Sequence, residues 1–207
     1  MGAESVASLP ADWLARLRRE LAAEPNHDPA LWRPSGLVLS STPRAAAVLV
    51  PIVNRPGAPA LLLTTRAGHL RNHAGQISFP GGRIDPSDGS ILAAALRETR
   101  EEIGVDSSLI EPLGFLPDHV VLTGYRITPV VALLSPDFTL RIDAAEVAEV
   151  FEIPLDYLTR HASFKPTVRI LRGVEVTLND LTYEGRVVWG ATSGMLQALR
   201  ALLLGEP

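Results

Sequence analysis

Residues 97–105 read RETREEIGV, which sets Glu98, Glu101 and Glu102 within a turn and a half of a helix. The arrangement breaks two local rules. Like charges at i and i+4 repel, and carboxylates close to a helix C-terminus face the negative end of its dipole. Such a conflict marks a site. At about 100° per residue, Leu92, Leu96, Thr99 and Ile103 gather on one face, while the three glutamates converge on roughly the opposite side. A helix is therefore expected over 90–103, with Gly104 as the residue that ends it. Three hard oxygen donors on one face suit Mg²⁺ or Mn²⁺ better than zinc, and a bound divalent ion would cancel the repulsion. The bland alternative is a solvated charged face. A glycine-rich loop just upstream, FPGG at 79–82, favours the site.

Outward from this helix, AAAVLVPIV (45–53) and ALLLTTR (60–66) read as two strands joined by NRPGAP, and GQISFPGG (75–82) as a third short strand ending on glycines. After the helix, LIEPLGFL, ITPVVALL, EVAEVFEI, TVRILRG, EVTLNDLTYEG and RVVWG supply further β-rich segments, and SGMLQALRALLLG (193–205) closes as an amphipathic helix. Trp13, Leu14, Leu17 and Leu21 sit at helical spacing before the proline-rich HDPALWRPSG, so 1–38 is expected to form an N-terminal helix and arm, and 39–207 the main domain. The expected fold class is α+β, an α/β/α sandwich around a mixed sheet.

The chain has 207 residues, is 46 % hydrophobic and carries a net charge of −4, which fits one globular domain with terminal extensions and shows no basic surplus for nucleic acid. With no cysteine there is no disulfide framework, thiolate zinc site or cysteine nucleophile, and a reducing cytoplasm is the expected location. The start, MGAESVASLPADW, lacks a basic n-region and an apolar h-region, so no targeting segment is expected. The longest apolar runs are far shorter than the roughly 20 residues of a membrane span. The five histidines show no ligand spacing. Trp13, Trp32 and Trp189 are read as packing residues, although an indole can stack on adenine.

Together these features resemble the Nudix hydrolases, whose signature is G-x5-E-x7-R-E-U-x-E-E-x-G-U with U aliphatic. Gly82, Arg97, Glu98, Glu101, Glu102, Gly104 and Val105 match it. Asp88 stands for the first glutamate, one extra residue separates it from Arg97, and Thr99 replaces an aliphatic residue. A second stretch, LLTTRAGHLRNHAGQISFPGG at 62–82, resembles the extra motif of the coenzyme A pyrophosphatase branch, LLTXR[SA]X3RX3GX3FPGG. It agrees at Arg66, Ala67, Arg71, Gly75, Phe79, Pro80, Gly81 and Gly82, and the Asp88 and Thr99 departures look like that branch's own form.

The resemblance implies hydrolysis of the diphosphate of coenzyme A or its thioesters, giving 4′-phosphopantetheine or its acyl form and adenosine 3′,5′-bisphosphate, with Mg²⁺ or Mn²⁺ as cofactor. Glu98 and Glu102 are expected as the principal metal ligands and Glu101 as a further one. The resemblance adds the carbonyl of Gly81. The general base is open among Glu98, Glu101 and Glu146. Gly82, Asp88 and Arg97 are expected to support the loop against the helix, with the Arg97 fork on a carboxylate, and Arg66 and Arg71 to bind substrate phosphates. The competing readings are a diphosphatase acting on ADP-ribose or NADH, a cleanser of dNTPs, and a non-catalytic nucleotide-sensing module. A small-molecule substrate is the expected partner, with neither nucleic acid nor membrane, and a homodimer stays open.

Overall fold

Near-continuous apolar runs belong to strands covered on both faces, and two such runs become β1 (Arg44–Val53) and β2 (Ala60–Arg66). The computed structural model describes residues 9–27, 42–70, 73–171 and 173–206. Around these strands the chain adds α1 (Trp13–Glu20), β3 (Ile77–Ser78), β4 (Gly81–Arg83), α2 (Ile91–Ile103), β5 (Ile110–Phe115), β6 (His119–Val121) and β7 (Tyr125–Leu134). It continues with β8 (Val147–Pro154), α3 (Leu155–Arg160), β9 (Phe164–Leu171), β10 (Val174–Tyr183), β11 (Arg186–Val188) and α4 (Gly190–Leu204).

The main sheet has eight strands in the order β3-β2-β1-β7-β5, with β4 paired to β1, β6 to β7 and β8 to β2. β1 and β7 run parallel from Arg44↔Tyr125 to Val53↔Leu134, and the other pairs are antiparallel, so the sheet is mixed. Because side chains alternate across a strand, each face gathers its own core. Ala47, Leu49, Leu62, Val130 and Ala132 meet Ala94, Ala95 and Ile103 of α2. On the other face Val50, Leu61, Leu63 and Val131 meet Leu196, Leu199 and Leu203 of α4 and Leu17 of α1. The result is the expected α/β/α sandwich around a mixed sheet.

Four details differ from the sequence reading. The stretch 75–82 is two strands, not one: β3 pairs with β2 and β4 with β1, the chain changing partner at Phe79 and Pro80. The N-terminal helix packs into the body. Leu17 is fully buried in the core that α4 shares, and Ala22 bridges to Phe115. The boundary expected at residue 38 lies in 28–41, outside the described residues. The segments 164–188 leave the main sheet and form a separate one, β11-β10-β9. The expected apolar face of α2 is also rotated: Ala94, Ala95, Thr99, Glu102 and Ile103 are buried, while Leu92 and Leu96 are only partly so.

Candidate active site

Pairing of Ala47 with Gly82 and of Val48 with Gly81 lays the end of the FPGG loop along β1, beneath α2. The helix starts where the Ser90 hydroxyl accepts the Ala93 N–H at 3.0 Å and stops at Gly104, whose φ of 73° is left-handed. Its second half crosses the two glycines. Gly81 has φ 149° and no room for a side chain against Val48, while a Cβ on Gly82 would fall 2.6 Å from Glu98 Oε2. The loop is glycine because a carboxylate occupies that space.

Glu102 is 3 % exposed, accepts the Gly81 N–H at 3.1 Å and has Arg66 Nη1 3.7 Å from Oε1. Burial pushes its pKa up to about 7, against the pull of the Gly81 N–H and the Arg66 cation, and the charges of Glu146 and Glu98 push the same way. The Glu98 pKa is also raised, chiefly by burial, with Arg97 opposing and Glu101 and Glu146 adding repulsion. Two neighbouring carboxylates thus resist ionisation in surroundings that a cation would suit.

Arg97 ties the loop to the helix. Nε and Nη2 donate to the two oxygens of Asp88 at 2.8 Å each, Nη1 donates to Glu98 at 3.0 Å and Glu101 at 2.9 Å, and Nη2 also reaches the Arg83 carbonyl. This fork, with the Asp85 N–H, lowers the Asp88 pKa to about 2. Asp88 therefore makes the bidentate pair despite the extra residue in the spacing. Thr99 fits its buried position because its hydroxyl donates to the Ala95 carbonyl at 2.7 Å.

Glu98 and Glu101 share Arg97 Nη1, at 3.0 and 2.9 Å, while Glu102 faces the Gly81 N–H and Arg66. Glu101, 58 % exposed at its side chain, turns to Arg97. Among the described residues no group of three or more His, Asp or Glu side chains closes into a metal shell. Gly81 touches Glu102 through its N–H rather than its carbonyl. The donor set still fits Mg²⁺ or Mn²⁺: oxygen atoms only, two of the carboxylates half-buried or more, and both with raised pKa values that a divalent charge would bring down.

Glu146 enters from the chain just before β8, its carbonyl accepting the Ala67 N–H at 2.8 Å. Its side chain is exposed and close enough to Glu98 and Glu102 to act on both electrostatically. Arg66 arrives at the site from the end of β2, and Gly75 closes that loop by donating to the Arg66 carbonyl at 3.1 Å. Arg71 lies outside the described residues. Sequence reasoning missed Asp85, whose carboxylate accepts from Ser87 N–H at 2.9 Å and whose own N–H holds Asp88 at 2.7 Å. The turn-forming string DPSD was the available signal.

A sandwich carrying an acidic helix over a glycine loop defines a class of protein, and comparison with known proteins identifies it. Residues 43–170 match the family model described as the NUDIX domain, and the chain belongs to the Nudix family. The Nudix hydrolase NudL of Escherichia coli O157:H7, named as uncharacterized, is 46 % identical over 162 residues, 78 % of this chain and 83 % of that protein. NudL of Shigella boydii serotype 18 matches to the same extent. The Nudix hydrolase RenU of M. smegmatis shares the fold, with a TM-score of 0.55 at 20 % identity over 84 % of this chain and 97 % of that one. The protein is thus a Nudix pyrophosphohydrolase, of a family that takes small nucleotide diphosphates and typically depends on a divalent metal. Among the described residues no helix is long and apolar enough to cross a membrane.

Proposed function

We propose that the protein hydrolyses the diphosphate bond of coenzyme A or its thioesters, releasing 4′-phosphopantetheine or its acyl form and adenosine 3′,5′-bisphosphate. One observation supports this reading: residues near both ends of the 62–82 segment approach the carboxylates of the acidic helix. Arg66, near the start of the segment, sits 3.7 Å from Glu102, and Gly81 and Gly82, at its end, cradle Glu102 and Glu98. Arg66, Gly81 and Gly82, three of the residues by which the segment resembles the coenzyme A branch, are therefore beside the carboxylates.

Glu98 and Glu102, with Glu101 and the Gly81 carbonyl in support, would hold Mg²⁺ or Mn²⁺, which supplies charge neutralisation at the phosphoryl oxygens and acidifies water. Arg66 meets Glu102 with one terminal nitrogen, and its remaining N–H groups are those that would bind a substrate phosphate, Arg71 being the second. The exposed Glu146 carboxylate would accept the proton of the attacking water, a role for which Glu98 and Glu101 are the alternatives. Asp88 and Arg97 keep the loop and the helix in register. A division of the chain at residue 38 and a cytoplasmic location belong to the same reading.

Product analysis tests it. Coenzyme A, ADP-ribose, NADH and dNTPs are each incubated with the protein and Mg²⁺ or Mn²⁺. Coenzyme A should have the highest kcat/KM and give the two products above. Faster cleavage of ADP-ribose, NADH or a dNTP would reject the coenzyme A assignment.

A further inference from the structure

An open cleft of about 490 Å³ lies near the end of β2, lined from the face of the sheet that α4 covers. Its lining includes Thr65, Ile77, Glu149, Arg169, Arg186 and Trp189. Two chain links join it to the carboxylates. Thr65 precedes Arg66, which pairs with Glu102, and Glu149 follows three residues after Glu146. A ligand with its phosphates at α2 and its other end here would pass the end of β2.

Flat groups line the cleft, each already stacked on one face. The Arg169 guanidinium carbon sits 4.4 Å from the Trp189 ring centroid and that of Arg186 4.7 Å from the Phe151 ring. Both guanidiniums are already matched, Arg169 by Asp180 and Arg186 by Glu149. A charge-balanced cleft has no surplus for a free phosphate, but Trp189 and Arg186, each with one face taken by these contacts, line it beside a hydrogen-bonding edge. That edge is the Glu149 carboxylate, 46 % exposed at its side chain. Such features recognise a neutral aromatic ring bearing an amino group.

We propose that this cleft binds the adenine ring of the substrate, stacked against the flat faces of Trp189 and Arg186, with its amino group donating to Glu149. Trp189 then has a binding role beyond the packing its sequence context suggested. The three-stranded sheet, which contributes Arg169 and Arg186, becomes a specificity element. The inference rests on the reading of the substrate as an adenine nucleotide diphosphate, not on coenzyme A in particular.

Equilibrium binding of AMP, IMP and ribose 5-phosphate to the full chain reads the cleft without turnover. Wild type should bind AMP on the order of tenfold more tightly than ribose 5-phosphate, the contribution expected of one stacked base. Trp189→Ala should abolish that ratio, and Glu149→Ala should abolish the preference for AMP over IMP. Should Trp189→Ala not fold, Arg186→Ala carries the same test. Equal binding of AMP and ribose 5-phosphate by wild type, or an AMP advantage unchanged in the variants, would overturn the inference. The two readings fail separately. A protein that cleaves ADP-ribose rather than coenzyme A, yet loses its AMP advantage in Trp189→Ala, keeps the cleft and loses the coenzyme. One that cleaves coenzyme A with unaltered KM in Trp189→Ala loses the cleft alone.

Discussion

Helices α2 and α4 lie on opposite faces of one sheet and bury opposite chemistry. α4 buries Met195, Leu196, Leu199 and Leu203 in the core that Leu17, Val50 and Leu63 share. Burial of each such side chain stabilises the fold by about 1.5–3 kcal/mol. α2 is covered to a similar degree but brings alanines, a threonine and a carboxylate. The alanines let the helix approach β1 closely, and Glu102 then sits where its charge is opposed by burial. One face holds the molecule together, and the other keeps charge in place at a cost in stability. The difference should be visible as two kinds of mutational damage.

The largest effect belongs to the acidic face. Removal of divalent metal by EDTA should abolish turnover, with recovery on Mg²⁺ or Mn²⁺ but hardly on Ca²⁺, whose larger and looser coordination misplaces the phosphoryl oxygens. Glu98→Gln should cost on the order of 10²–10³ in kcat, with circular dichroism unchanged. Comparable rates in Ca²⁺, or near wild-type turnover by the variant, would break the contrast from the α2 side.

Next in size is the apolar face. Leu199→Ala should lower the free energy of unfolding by about 2–5 kcal/mol, read by chemical denaturation, while the folded fraction keeps its kcat/KM. A loss of activity per folded molecule would couple the two faces. Arg66 gives a smaller effect at the active site. Arg66→Ala should lower kcat/KM for coenzyme A roughly ten- to a hundredfold, as expected for a charge-assisted contact. Dephospho-coenzyme A should show an equal penalty if Arg66 serves the diphosphate, and much less if it reads the 3′-phosphate.

An effect confined to acid pH concerns His119, buried on β6, a strand in contact with α4. Burial lowers its pKa to about 4. The unfolded chain takes up a proton near pH 6.5, where the folded chain does not. This contribution to stability is therefore present above pH 6.5 and lost as pH falls towards 4, with a slope of at most about 1.4 kcal/mol per pH unit. His119→Asn should flatten that part of the pH profile of the melting temperature. An unchanged slope would remove His119 from the balance.

Much of the fold was legible because its signals are local. The apolar runs of β1, β2 and β7 and the periodicity of α2 and α4 need no partner to be read, and RETREEIGV announces itself by breaking local rules. What escaped depended on tertiary packing. α3 has six residues, too few for a helical period to show. The division of 75–82 between β3 and β4 depends on where β1 and β2 part, which no local pattern records. At the site, the identity of the acids was readable but the burial of Glu102 was not. The helical wheel grouped it with Glu98 and Glu101 on the charged face, whereas close packing of Ala94 and Ala95 turns that side of α2 inward. The cleft at Trp189 escaped for the same reason, since β2, β8, β11 and the start of α4 meet there only in three dimensions.

Glu102→Gln, measured for stability and turnover in the same preparation, tests the contrast between the two helices most directly. At pH 8, above its folded pKa of about 7, ionised Glu102 burdens the metal-free fold, because a carboxylate with a raised folded pKa loses its stabilising contribution as pH rises through that value. The glutamine keeps an oxygen for the Gly81 N–H without the charge. In EDTA the variant should melt at or above the wild-type temperature, and with Mg²⁺ its kcat/KM should fall on the order of a hundredfold or more. A variant that melts several degrees lower while retaining wild-type turnover would show that Glu102 is a structural residue, and that both faces of the sheet serve stability alone.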